Sequence, residues 1–179
     1  SQTLQSLGNR KNDHHKEGLS QALHAGKPKI GYFIGIHPGY LKRSAVEADI
    51  SKAFTQWSSA LKAIKFEPVK SKEDADITIQ WIEHSKDNKF VFDGKGGTLA
   101  MSTKNVLSLD LAEKWAVETG GDLKGGQVAL FSVVLHEIGH CLGLTHSKNG
   151  QDVMAPFYDP TKKDLSKGDV ERIQEIYSA

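Results

Sequence analysis

Cysteine is nearly missing from this chain: Cys141 stands alone among 179 residues, so no intramolecular disulfide can form. A single cysteine is neutral about compartment, since both cytosolic and secreted proteins carry such sequences. Arginine is scarce, at positions 10, 43 and 172, and lysine is spread out instead of gathered into runs. Lysine and arginine total 23 against 22 acidic residues, a formal net charge of +1, so no overall field steers the chain toward nucleic acid or an acidic membrane surface. No apolar run is long enough to cross a bilayer, and Ser1 to His15 lacks the apolar core of a signal peptide. No internal repeat and no low-complexity segment is present. What remains is the make-up of one globular domain, with 38% hydrophobic residues, enough for a core that needs no staples.

Two regions differ in character. Residues 1–27 are polar and read as an extension, flexible or pro-segment-like; residues 28–179 read as the folded domain. Ile30, Tyr32, Ile34 and Ile36 alternate with Gly31, Phe33 and Gly35, which predicts a strand. Val46, Ile50, Ala53, Phe54, Trp57 and Leu61 fall at three- and four-residue steps and predict a helix over Ser44 to Ala63, with Ser44 and Glu47 as a capping box. Short strands are predicted at Phe66 to Val69, Ala75 to Ile82 and Thr98 to Ser102. A strongly apolar helix is predicted from Gln127 to Leu142. A closing helix is predicted from Asp164 to Tyr177, with Leu165, Val170, Ile173, Ile176 and Tyr177 on its inner face.

The chemistry is concentrated in His136-Glu137-Ile138-Gly139-His140-Cys141-Leu142-Gly143-Leu144-Thr145-His146. On a helix, positions i and i+4 share a face, so His136 and His140 can offer nitrogens to one ion. Gly143 can end the helix in a left-handed turn that folds His146 back as a third ligand. Three histidines leave a fourth position open, the mark of a catalytic zinc site. Glu137 projects beside the metal and is placed to act as general base on a water, which predicts peptide-bond hydrolysis without a covalent intermediate. A core helix with incidental histidines is the bland alternative, but burying three histidines and a glutamate without purpose is costly.

The eleven-residue motif, followed by Met154 in Asp152-Val153-Met154-Ala155-Pro156, resembles the metzincin clan of zinc metalloproteases, and Ser147 after the third histidine resembles its matrixin branch. The resemblance covers about 150 residues, from Ile30 to Tyr177. It implies an α+β catalytic domain: a twisted, mostly parallel sheet with the zinc-motif helix, a Met-turn at Met154 and a C-terminal helix. It implies that Leu99 and Ala100 pair their backbone with an extended peptide, and that Pro156 and Tyr158 wall the pocket for the residue after the cleaved bond, with a hydrophobic preference there. A calcium site is also implied, with Asp93, Asp110 and Glu113 at carboxylate positions; three solvated surface acids are the alternative. A second, structural zinc is not expected, because only His84 and Asp87 match its ligands and Met101 and Ser108 stand where histidines belong.

The expectation is therefore a zinc endopeptidase acting on extended peptides or proteins, a monomer, secreted like the proteins it resembles. Two other readings stay open: a zinc-holding but catalytically silent peptide-binding module, or a latent form in which Asp13, His14 or His15 of the extension covers the metal. An intracellular processing peptidase with a narrow substrate is a third.

Overall fold

The structure, a computed structural model, describes residues 29–62, 64–83, 97–103 and 105–177. The expectations for residues 1–27 and for His84, Asp87 and Asp93 fall outside these.

Strands β1 (Lys29–Ile34), β2 (Lys65–Pro68), β3 (Ile77–Ile82), β4 (Ala100–Thr103) and β5 (Val106–Asp110) form one sheet in the order β2-β1-β3-β5-β4. The first four of that order run parallel, and β4 pairs antiparallel to β5 at the edge. The three interior strands carry the apolar load: Ile30, Tyr32 and Ile34 of β1, Ile77 and Ile79 of β3, and Leu107 and Leu109 of β5 are buried. A small ribbon pairs β6 (Lys114–Ala116) with β7 (Gln127–Ala129).

Helices α1 (Arg43–Leu61) and α2 (Leu130–Cys141) pack on each other and on the sheet, α1 against β2 and α2 against β4 and β5. From α1, Val46, Ile50, Ala53, Phe54 and Trp57 enter the core as the periodicity predicts. Phe54 stacks on Tyr32 with ring centroids 4.2 Å apart, and the Trp57 indole N–H donates to the Leu135 carbonyl at 2.9 Å. Full burial of such a side chain is worth about 1.5–3 kcal/mol. Every residue of α2 is buried, so this helix has no solvent face at all. Helix α3 (Lys167–Tyr177) closes the chain, with Gln174 Nε2 donating to Ala60 O of α1 and the Tyr177 hydroxyl to Leu142 O at the end of α2.

Several sequence expectations are corrected in detail. The β1 alternation overruns the strand, since Ile36 is 92% exposed. Helix α1 starts at Arg43, so Ser44 lies inside the first turn; Lys42 is the cap, with no side-chain bond, and Glu47 accepts from Arg43 Nε at 2.9 Å instead of closing a capping box. The segment 127–129 is strand β7, not the start of α2, because its backbone pairs with β6. Helix α3 begins at Lys167 rather than Asp164, and Ile176 points outward while Ile173 is buried.

Candidate active site

The site is built at the C-terminal end of α2 and the turn that follows. Helix α2 places His136 and His140 one turn apart, and both are buried. The helix ends at Cys141, Gly143 takes φ +103°, and the reversal delivers half-buried His146 to the same point. The histidine nitrogens lie within 4.8 Å of one another. The three rings stand edge to face or tilted, with centroids 4.8 to 5.2 Å apart.

The hydrogen bonds behind the rings decide what this cluster can hold. His136 Nδ1 donates to the Val153 carbonyl at 2.8 Å, and His140 Nδ1 donates to the Leu144 carbonyl at 2.7 Å. A carbonyl only accepts, so each Nδ1 carries a proton, and in the neutral ring Nε2 is then the nitrogen left to bind a cation. Those two Nε2 atoms face each other at 3.1 Å. Burial pushes the His136 pKa down to about 3. Two imidazoles whose far nitrogens are fixed by carbonyls and whose Nε2 atoms face one centre form a donor set that suits a borderline cation such as zinc.

Glu137 is fully buried, with Oε2 3.8 Å from His136 Nε2. Burial raises its pKa to about 8, and the Ser102 hydroxyl, 2.8 Å from Oε1, pulls the other way. Neither the sequence motif nor its spacing pointed to Ser102; the only signal is its period-two relation to Ala100 on β4, which turns both toward α2.

Met154 is wholly buried and packs against Gly139, the residue before His140 on α2. Gly139 is what admits it: a Cβ there would stand 2.4 Å from Met154 Sδ and 2.9 Å from Trp57 Cζ2. The turn that carries Met154 is held by two aspartates that the sequence did not single out. Asp169 accepts from the amides of Val153 (2.8 Å) and Met154 (3.2 Å). Asp152 accepts from the hydroxyls of Ser147 and Ser166, both at 2.6 Å. The available signal was Ser166-x-x-Asp169: Ser166 Oγ accepts from Asp169 N at 3.0 Å and Asp169 Oδ2 accepts from Ser166 N at 2.9 Å, a capping box at the start of α3.

A family model described as matrixin matches residues 24–178. The chain belongs to the matrixin family. Similar proteins include matrix metalloproteinase-26 of Homo sapiens, 35% identical over 160 residues that make up 84% of this chain and 58% of that protein. Metalloendoproteinase 1-MMP of Arabidopsis thaliana is 40% identical over 146 residues (77% of this chain, 39% of the relative). Macrophage metalloelastase of Rattus norvegicus is 33% identical over 174 residues (92% and 36%). The matrixin chain thus spans less than two thirds of these relatives' lengths.

The remaining residues singled out in this matrixin fall as follows. Leu99 and Ala100 are buried by side chain, and Leu99 O accepts from Asp110 N on the inner side; β4 is the outermost strand of its sheet. Pro156 and Tyr158 are half-buried, and the Tyr158 hydroxyl accepts from Ala129 N at 2.9 Å, tying the loop to the start of α2. Asp110 and Glu113 are not the solvated acids of the alternative reading: they are 0% and 2% exposed. Asp110 Oδ1 accepts from Ala112 N. Met101 and Ser108 are register partners across β4 and β5 and present no imidazole. Among the described residues the three histidines are the one metal-competent cluster.

Proposed function

We propose that this domain is a zinc-dependent endopeptidase that hydrolyses internal peptide bonds of extended peptides or proteins. The observation that carries the reading is the convergence of three histidines, two of them with Nδ1 locked to backbone carbonyls so that Nε2 faces the common centre. His136, His140 and His146 would hold the metal. Zinc supplies a Lewis acid there, activating water and polarising the scissile carbonyl.

The chain's own residues do the rest. Glu137 Oε2 takes the proton of the attacking water and later delivers it to the leaving amine nitrogen. Burial raises the Glu137 pKa while the Ser102 hydroxyl pulls it down, and a cation held by the histidines would lower it further. The substrate backbone lies along the outer edge of β4, with Leu99 and Ala100 supplying main-chain hydrogen bonds. Pro156 and Tyr158 wall the pocket for the residue after the cleaved bond, and a hydrophobic side chain is preferred there. Asp110 and Glu113, both buried, would with Asp93 offer carboxylates to a calcium ion. The protein works as a secreted monomer, the setting in which calcium is plentiful.

Casein hydrolysis by this chain and by Glu137→Ala, with zinc content measured on the same samples, tests the reading. The parent cleaves, and the variant keeps one zinc per chain while losing nearly all activity. Zinc bound without cleavage by the parent turns the assignment into a binding module or latent form. A protein that binds no zinc, or a Glu137→Ala variant that cleaves like the parent, overturns it.

A further inference from the structure

We infer that Ser102 is a positioning residue for the general base, and that its hydroxyl fixes which oxygen of Glu137 receives the proton. The inference rests on the reading of Glu137 given above and adds a residue to it. Ser102 is wholly buried on β4, and its Oγ lies 2.8 Å from Glu137 Oε1 and 3.1 Å from the Glu137 backbone oxygen. Oε1 is thereby engaged. Oε2 accepts no hydrogen bond and is the oxygen on the histidine side, 3.8 Å from His136 Nε2. A glutamate carboxylate otherwise turns about its last torsion, which is broad and roughly two-fold. A donor on one oxygen selects one orientation and holds the other oxygen toward the centre.

The placement on β4 gives this contact a second consequence. Ala100 and Ser102 share the face turned to α2, while the strand's outer edge is where the substrate backbone is proposed to lie. One short strand therefore aligns both partners of the reaction: main chain for the peptide, side chain for the base. A misplacement on the order of 1 Å of a reacting group costs about a hundredfold in rate, so a hydroxyl contact of this kind is worth a measurable part of kcat. Substrate binding, made by other atoms, is untouched by it.

The experiment compares the parent, Ser102→Ala and Glu137→Gln with a fluorogenic peptide. It measures kcat per bound zinc, KM, zinc content, thermal midpoint, and peptide affinity of the metal-free protein. Ser102→Ala lowers kcat per bound zinc about 10- to 100-fold, with KM and the metal-free affinity within about twofold of the parent. A kcat per bound zinc equal to the parent's overturns the inference, whatever happens to stability. So does a rise in KM that matches the fall in kcat, because the residue then serves the binding edge. If Glu137→Gln cleaves like the parent, it is the reading of Glu137 that falls; if Glu137→Gln is inactive and Ser102→Ala is not impaired, only the role of Ser102 is lost.

Discussion

Gly139 occupies a position where ordinary helix energetics are reversed. Replacing an interior helical glycine by alanine ordinarily stabilises by up to about 1 kcal/mol. Here the added carbon would meet Met154 Sδ and Trp57 Cζ2, and both of those side chains are wholly buried with nowhere to retreat. Overpacking at such a site costs about 1–3 kcal/mol, so Gly139→Ala lowers the urea midpoint, and the strain it places on α2 between His136 and His140 lowers zinc content as well. A urea midpoint at or above the parent's would show that Met154 moves aside freely. The glycine was legible in the sequence as part of the motif, but its reason was not: the contact joins α1, α2 and the Met-turn, which are far apart along the chain. Ser102 was illegible for the same cause. A serine in a short strand carries no pattern of its own, and only packing on α2 brings its hydroxyl to Glu137.

At the level of elements, helix α1 was legible because its apolar residues repeat at helical spacing over several turns, and α2 because it is one long, strongly apolar run. The ends were not, since backbone pairing and side-chain competition set them. Gln127 to Ala129 pairs with β6, and Arg43 takes Glu47 away from the predicted cap. The true capping box lies at α3, and there it does two things at once. Asp169 satisfies the first turn of its own helix and accepts the amides of Val153 and Met154. Hydrogen bonds to a buried charge contribute about 1.5–3 kcal/mol, and loss of a helix cap about 1 kcal/mol. Asp169→Ala is therefore expected to destabilise by about 2–4 kcal/mol in urea unfolding, and to weaken zinc retention more than Asp169→Asn does. Equal zinc retention in the two variants would separate the cap from the metal site.

For the whole molecule, metal acts on the folding equilibrium through the histidines, and pH acts in part through a group outside that site. A ligand bound only by the native state raises stability by about 4 kcal/mol at a thousand times its Kd. Chelation therefore lowers the thermal midpoint of the parent and of Glu137→Gln alike, and leaves His140→Ala, which has lost a ligand, little changed. Asp49 supplies one pH term, away from the histidines. It is buried on α1 and accepts from Glu118 N at 3.2 Å, with Lys52, Glu118 and Lys163 as the charged groups around it; burial raises its pKa to about 6 from 3.8. The folded state thus holds the proton more tightly than the unfolded chain. This contribution to stability is complete below about pH 3.8 and is lost as pH rises through about 6. Asp49→Asn removes that loss, so its stability relative to the parent climbs between pH 4 and 7 by about 1–3 kcal/mol. A difference that stays flat across that range would assign the pH dependence elsewhere.

The carbonyl partners of the two helical histidines carry a consequence for the order in which the molecule is made. All three histidines fall within eleven residues, yet His136 is oriented by Val153, and Val153 by Asp169 on the last helix. During synthesis the histidines leave the ribosome before the segment that aligns them. A nascent chain at that stage is a loose, exchangeable chelator, and tight metal capture waits for the final helix to dock.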